Sequence, residues 1–184
     1  MNDVVLDVGV GSAVVLAFGQ SGARDSAFTR GFAPMARVGI STRGDGVRVG
    51  LGARYRYVAF WSGTPSEGNL RSGHPVLHEF DGLAEVEFGA DGVGPRFGVG
   101  YAMSWLANPS SLWNRLEEVR QPFTYEGFIL DGGYSVRLGA KSPLRLTFGL
   151  TVSFTNYVST PPVFLAHLVL RSDFVIATYQ RPPS

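Results

Sequence analysis

Large apolar residues alternate with glycine, small polar or charged residues along almost the whole chain. The clearest stretch is Val47-Arg48-Val49-Gly50-Leu51-Gly52-Ala53-Arg54-Tyr55-Arg56-Tyr57. Successive side chains of a strand point to opposite faces, so this segment has one apolar face and one face of glycine and arginine. The pattern predicts eight strands, at about 4–18, 30–42, 46–61, 76–90, 93–106, 123–140, 144–157 and 163–179. In the first, Leu6, Val8, Val10, Val14, Leu16 and Phe18 oppose Asp7, Gly9, Gly11, Ala13 and Ala17. In the fourth, Phe80, Ala84, Val86 and Phe88 oppose Glu79, Asp81, Glu85 and Glu87. In the eighth, Phe164, Leu168, Leu170, Phe174 and Ile176 oppose His167, Arg171 and Asp173.

The connections differ in length. Short ones join strands two and three, four and five, six and seven. Longer polar segments join one and two (19–29), three and four (62–75), and five and six (107–122); the link 158–162 is intermediate. Within 107–122, Ser110 to Val119 has the pattern of one or two helical turns with a serine cap. In an antiparallel meander all short turns then lie at one end, together with both termini. An even number of strands arranged so is the plan of bacterial outer-membrane barrels.

The apolar face points outward in this reading. Eight closed strands enclose only enough room for side chains to fill. Tyr55, Tyr57, Trp61, Phe88, Phe97, Tyr101, Trp105, Phe148 and Phe154 would overfill that space, whereas glycine, serine and paired charges fit it. The aromatics also gather toward strand ends. Tyr57, Trp61, Tyr101 and Trp105 are assigned to the long-loop side, and Phe88 and Phe97 to the short-turn side. Such girdles are expected where rings straddle lipid and headgroups.

Turn residues fix the pairing of neighbouring strands. An Asp91-Gly92 turn sets Glu87 opposite Arg96, both on the polar face. A Lys141-Ser142-Pro143 loop closed by Ala140 and Leu144 keeps Arg137 and Thr147 on one face. Between strands two and three, two registers compete. A turn at Asp45-Gly46 opposes Arg37 to Arg54 and Arg43 to Arg48. A turn at Gly44-Asp45 instead puts Ser41 by Arg48 and Arg37 by Gly52. The second is favoured, because like charges directly opposite are destabilising.

Composition narrows the class further. The 184 residues fit one domain, with 45% hydrophobic but only 17% charged residues and 24 glycines. Soluble domains average about 25% charged residues. A net charge of +1 gives no bulk electrostatic case for nucleic acid. Without cysteine, disulfides and thiolate chemistry are excluded. No apolar run is long enough for a transmembrane helix. Met1-Asn2-Asp3 lacks the basic and apolar regions of a signal peptide, so the expectation is a mature form with Met1 replacing a removed leader.

The polar face carries the candidate chemistry: Arg37, Arg48, Arg54, Arg56, Asp81, Glu85, Glu87, Arg96, Asp131, Arg137, Arg145, Arg171 and Asp173, with Asp7 and Glu79 beside them. The two signs nearly balance, with strand three basic and strand four acidic. Weakly screened ion pairs in a narrow lumen would lock the register and plug the barrel. Strand alternation alone accounts for the spacing of Glu79, Asp81, Glu85 and Glu87, so no acid–base pair is assigned. His78 falls on the lipid face and His167 on the lumen face, both near the long-loop end; His74 is in a loop. No serine accompanies His78 in His78-Glu79-Phe80, so no catalytic residue is assigned. Neither a metal-ligand cluster nor a cofactor motif is present, and glycine pairs such as Gly98 and Gly100 are read as lumen positions that leave room for arginine.

In strand count, loop asymmetry, girdles and charged lumen, the whole chain resembles the small eight-stranded outer-membrane barrels of the OmpA membrane domain, OmpX and OmpW type. The likeness is architectural and transfers no functional residue. It implies an all-β, eight-stranded antiparallel up-and-down transmembrane β-barrel over 1–180, in the bacterial outer membrane with periplasmic termini. Residues 181–184 are then a short periplasmic tail or a truncated linker. The implied role is structural or adhesive through the long loops, for a monomer in contact with outer-membrane lipids and lipopolysaccharide. A lipid-modifying enzyme of deacylase or acyltransferase type and a narrow transporter of small apolar solutes are the alternatives.

Overall fold

The computed structural model describes residues 3–21, 25–61, 76–89, 93–107, 123–139, 142–157 and 160–179, with side chains at 3–16, 31–42, 44–59, 76–89, 93–105, 126–139 and 142–154. These residues form eight strands: β1 (Asp3–Ser21), β2 (Asp25–Arg43), β3 (Val47–Trp61), β4 (Val76–Phe88), β5 (Gly94–Ala107), β6 (Phe123–Arg137), β7 (Leu144–Tyr157) and β8 (Thr160–Tyr179). Each pairs antiparallel with its sequence neighbours, and β8 returns to β1 to close a barrel. Closure matters in lipid, where no water satisfies the edge of an open sheet. The closing seam runs from Val4 opposite Tyr179 to Gly19 opposite Val163, with a register shift between Leu6 and Asp7.

Alternation decides which residues face where. Phe128 is 69% exposed, Leu51 64% and Val10 58%, while Arg56, Glu79 and Thr151 are fully buried. A soluble fold would reverse that assignment. The exposed apolar side chains are spread over the outer faces of β1 to β7, forming the band expected of a wall in hydrocarbon. Phe88 and Phe97 meet edge-to-face at 6.4 Å toward the short-turn end. Ten residues along β4 from Phe88, His78 stacks on Trp105 at 4.9 Å. At about 3.3 Å per residue and about 40° of tilt, those two aromatic levels are about 25 Å apart, the height of an outer-membrane apolar band.

Three local expectations change. First, β1 and β2 continue through most of 19–29 and pair as far as Ser21 opposite Asp25. Polarity there does not break the strands, because backbone pairing continues whatever the side chains. Second, β2 and β3 take the register that opposes Arg37 to Arg54 and Arg43 to Arg48, with Ser41 opposite Gly50. The turn has Gly46 at φ 72°, and the Gly44 N–H donates to the Val47 carbonyl at 2.9 Å. Third, β6 and β7 close at Leu138 and Leu144, so Arg137 faces Arg145 and Thr147 faces Ser135. Gly139 at φ 94° and the Ser142 hydroxyl, which accepts from the Leu144 N–H at 3.1 Å, shape that longer turn. The pairing of Glu87 with Arg96 is as the Asp-Gly turn requires; the turn residues 90–92 lie outside the described residues, as do the 110–119 segment and His74.

Candidate functional site in the lumen and on the outer wall

Strands β3 and β4 set the charges of the lumen against one another. Arg48 lies directly opposite Glu87, Arg54 opposite Asp81 and Arg56 opposite Glu79. Between these rungs, Gly50 faces Glu85 and Gly52 faces Leu83. A Cβ at Gly52 would stand 3.2 Å from both the Arg37 guanidinium and the Glu85 carboxylate. The glycine therefore leaves the space through which Arg37 enters from β2.

That space resolves the apparent clash of Arg37 with Arg54. Their backbones are opposite, but their guanidinium groups diverge. Arg37 binds Asp7 and Glu85. Arg54 turns the other way, its Nε 2.8 Å from Asp81 and its Nη1 2.8 Å from Asp131. The like-charge penalty applies to charged ends, and long arginines keep these apart.

The remaining pairs join these into one network. Asp7 also binds Arg48, with Arg145 at 3.6 Å. Glu87 accepts from Arg145 at 3.0 Å and has Arg48 at 3.8 Å. Arg96 bridges Glu85 and Asp131, the latter at 3.7 Å. Arg56 bridges Glu79 and Asp81, the latter at 2.7 Å. Six arginines and six carboxylates are thus linked without a break, and each strand from β1 to β7 contributes. Arg137 stands half-buried beside this network. Arg171 has its backbone opposite Gly11 and Thr147, and Asp173 opposite Gly9 and Arg145; their side chains, like that of His167, lie outside the described residues.

The facing wall is built from small residues. Ser135 and Thr147 share a hydrogen bond of 3.1 Å, and Thr151 donates to Asp131. Arg54 reaches across to this wall, where Asp131 and Thr151 accept from it. The lumen also has an apolar layer that alternation alone did not flag. Val58 and Leu77 are paired and buried one rung beyond Arg56 and Glu79 toward the long-loop end, with Ala13, Val15, Ala33 and Met35 buried alongside. Leu83, Ala102 and Ile129 form a second buried apolar cluster. The clue in the sequence was local: at Tyr57-Val58 and at Val76-Leu77 both faces are apolar.

On the outer wall, Tyr57, Phe88, Phe97, Tyr101 and Trp105 are all exposed. The backbone of Trp61 is opposite Arg30, and its side chain lies outside the described residues. Tyr101 stands mid-strand, four residues from Phe97 and four from Trp105. His78 joins an aromatic cluster: its Nδ1 is 2.9 Å from the Tyr55 hydroxyl, Tyr57 meets it edge-on at 5.4 Å, and Phe80 stacks on Trp105 at 5.4 Å. No serine is among these partners. Sequence reasoning passed over Glu126, which shares the parity of Phe128 and so lies on the outer face. Among the described residues no group of three or more His, Asp or Glu side chains is placed to hold a metal ion.

No protein-family model matches the sequence, and no curated protein matches it. Solved structures do. Neisserial surface protein A (NspA) is similar at a TM-score of 0.63 and 16% identity, over 92% of this chain and 96% of that one. The attachment invasion locus protein Ail of Yersinia pestis gives a TM-score of 0.48 and 8% identity, over 94% of this chain and 99% of Ail. At its identity the first likeness is one of fold, and it agrees with the inverted polarity and closed topology described above. The chain is a transmembrane β-barrel with the fold of the small bacterial outer-membrane barrels.

Proposed function

We propose that this barrel is a closed scaffold of the bacterial outer membrane, with its termini in the periplasm and its long loops outside. Its role is then structural or adhesive and exerted by the loops, with lipids and lipopolysaccharide around a monomeric wall. The observation that carries this reading is the continuous network of six arginines and six carboxylates, capped by the Val58–Leu77 layer. Those side chains occupy the space a solute path would need, and moving them would separate charges held in weakly screened surroundings. Two connections of the barrel, 62–75 and 108–122, have the length for surface recognition.

The test uses whole cells and proteoliposomes. Replacing 62–75 and 108–122 with short turns is expected to abolish binding of displaying cells to surfaces or host-type matrices, while the barrel still inserts. Proteoliposomes of the intact chain are expected to exclude small sugars and aromatic solutes. Solute entry above that of empty vesicles contradicts the closed scaffold; unchanged cell binding after loop replacement contradicts the loop-borne role.

A further inference from the structure

Glu126 is the only Asp, Glu, Lys or Arg among the described side chains on the outer faces of the strands. It is exposed there, in a wall made mostly of aliphatic and aromatic groups. A carboxylate on a lipid-facing wall is disfavoured the more deeply it sits, and an ionisable group kept in such a place marks a site that uses it. Glu126 lies opposite Met103, one diagonal step from Trp105 and one from Tyr101. Its partner Met103 is about 5 Å inside the Trp105 level, given about 3.3 Å per residue and about 40° of tilt.

Two features make this a formed site. The Tyr101 hydroxyl donates a hydrogen bond to the Glu126 carboxylate, which fixes it on the wall. Trp105 is 38% exposed, is backed by His78 and Phe80 stacked against it, and stands one diagonal register step from Glu126 on the same face. Among the described side chains of this outer face there is no Arg or Lys to pair with the carboxylate. A carboxylate next to an electron-rich indole suits a cation, and at this depth a cation arrives on a lipid. One carboxylate supplies too few oxygens for a dehydrated divalent ion, which takes six or more ligands in a typical calcium site. An ammonium needs only a hydrogen-bond acceptor and an aromatic face.

We propose that the outer wall of β4–β6 binds a membrane lipid through a primary ammonium on its headgroup, seated between the Glu126 carboxylate and the Trp105 ring. The Tyr101 hydroxyl positions the carboxylate. The site is separate from the lumen and does not depend on the lumen being closed.

The experiment is native mass spectrometry of the intact chain released from micelles. The micelles hold equal amounts of phosphatidylethanolamine, phosphatidylglycerol and N-acetyl-phosphatidylethanolamine with identical acyl chains. The wild-type protein is expected to retain phosphatidylethanolamine about five-fold over each of the other two, the scale of a single cation–π contact in a partly desolvated place. In Glu126→Gln that preference falls to about even, with heat-modifiable migration on gels verifying that the barrel is folded. Equal retention of all three lipids by the wild type overturns the proposal. So does an equal hold on the N-acetyl lipid, which keeps the phosphate but lacks the ammonium, and so does a preference that survives Glu126→Gln. The three-lipid comparison on the wild type is decisive whether or not the variant folds.

Discussion

The lumen has two unlike walls. On β3 and β4 the inward positions are long and charged, with Arg48, Arg54 and Arg56 directly opposite Glu87, Asp81 and Glu79. On β6 and β7 they are mostly small: Gly133 faces Gly149, Ser135 faces Thr147, and Asp131 faces Thr151. The difference is a division of labour in filling a narrow tube. One wall supplies side chains that cross the lumen, and the other is thin enough to receive them. Arg54 spans the two, holding Asp81 on its own side and Asp131 on the other.

Removing the spanning residue should break the arrangement most. Arg54→Ala leaves Asp81 and Asp131 buried without their shared cation, which costs about 3–5 kcal/mol. Unfolding by denaturant in lipid vesicles measures it, and a loss below about 1 kcal/mol would mean that the two walls are not coupled through Arg54.

The thin wall is sensitive to size instead of charge. A Cβ at Gly149 would lie 2.5 Å from the Gly132 carbonyl oxygen, whereas one at Gly132 meets nothing within 4 Å. Gly149→Ala is therefore expected to cost about 1–3 kcal/mol through crowding that the backbone must absorb. Gly132→Ala, next door and facing out, should stay within about 0.5 kcal/mol. Equal effects in the same unfolding assay would show that the thin wall is not close-packed.

Replacing both members of a rung sharpens the comparison from the other side. Arg56→Met with Glu79→Leu removes a pair adjoining the apolar layer of Val58 and Leu77, while Asp81, which also binds Arg56, keeps Arg54. Matched apolar replacement of a buried ion pair is near neutral, so the double variant should remain within about 1 kcal/mol of wild type, although Arg56→Met alone loses several. A double variant as unstable as the single one would assign the rung an energetic role beyond filling space.

The smallest expected effect is that of salt. Pairs in the lumen lie out of reach of the ion atmosphere, so raising NaCl from dilute to molar should shift the unfolding free energy by less than about 0.5 kcal/mol. A large loss, read from the same denaturation curves, would place the network in contact with bulk water.

Much of this was legible in the residues because the period of a strand is two and the barrel is thin. Parity alone separates Arg54 from Tyr55 and Glu85 from Val86, and the Asp91-Gly92 dipeptide set Glu87 opposite Arg96. The β2–β3 register was misread because opposing positions were taken to mean opposing charges. Arginine is long enough that Arg37 and Arg54 share a rung and still turn to different carboxylates. The Val58–Leu77 layer was hidden because parity gives no sign of inside and outside where both faces are apolar. Glu126 was passed over although its parity, shared with Phe128, was plain.

Single-channel recording in planar bilayers tests the closed lumen most directly. With the wild-type chain inserted and a voltage applied in concentrated KCl, the account predicts no resolvable conductance steps above the bare membrane. Reproducible ohmic steps from the folded wild-type barrel would contradict it, because they require an ion path through the space assigned to the twelve linked charges.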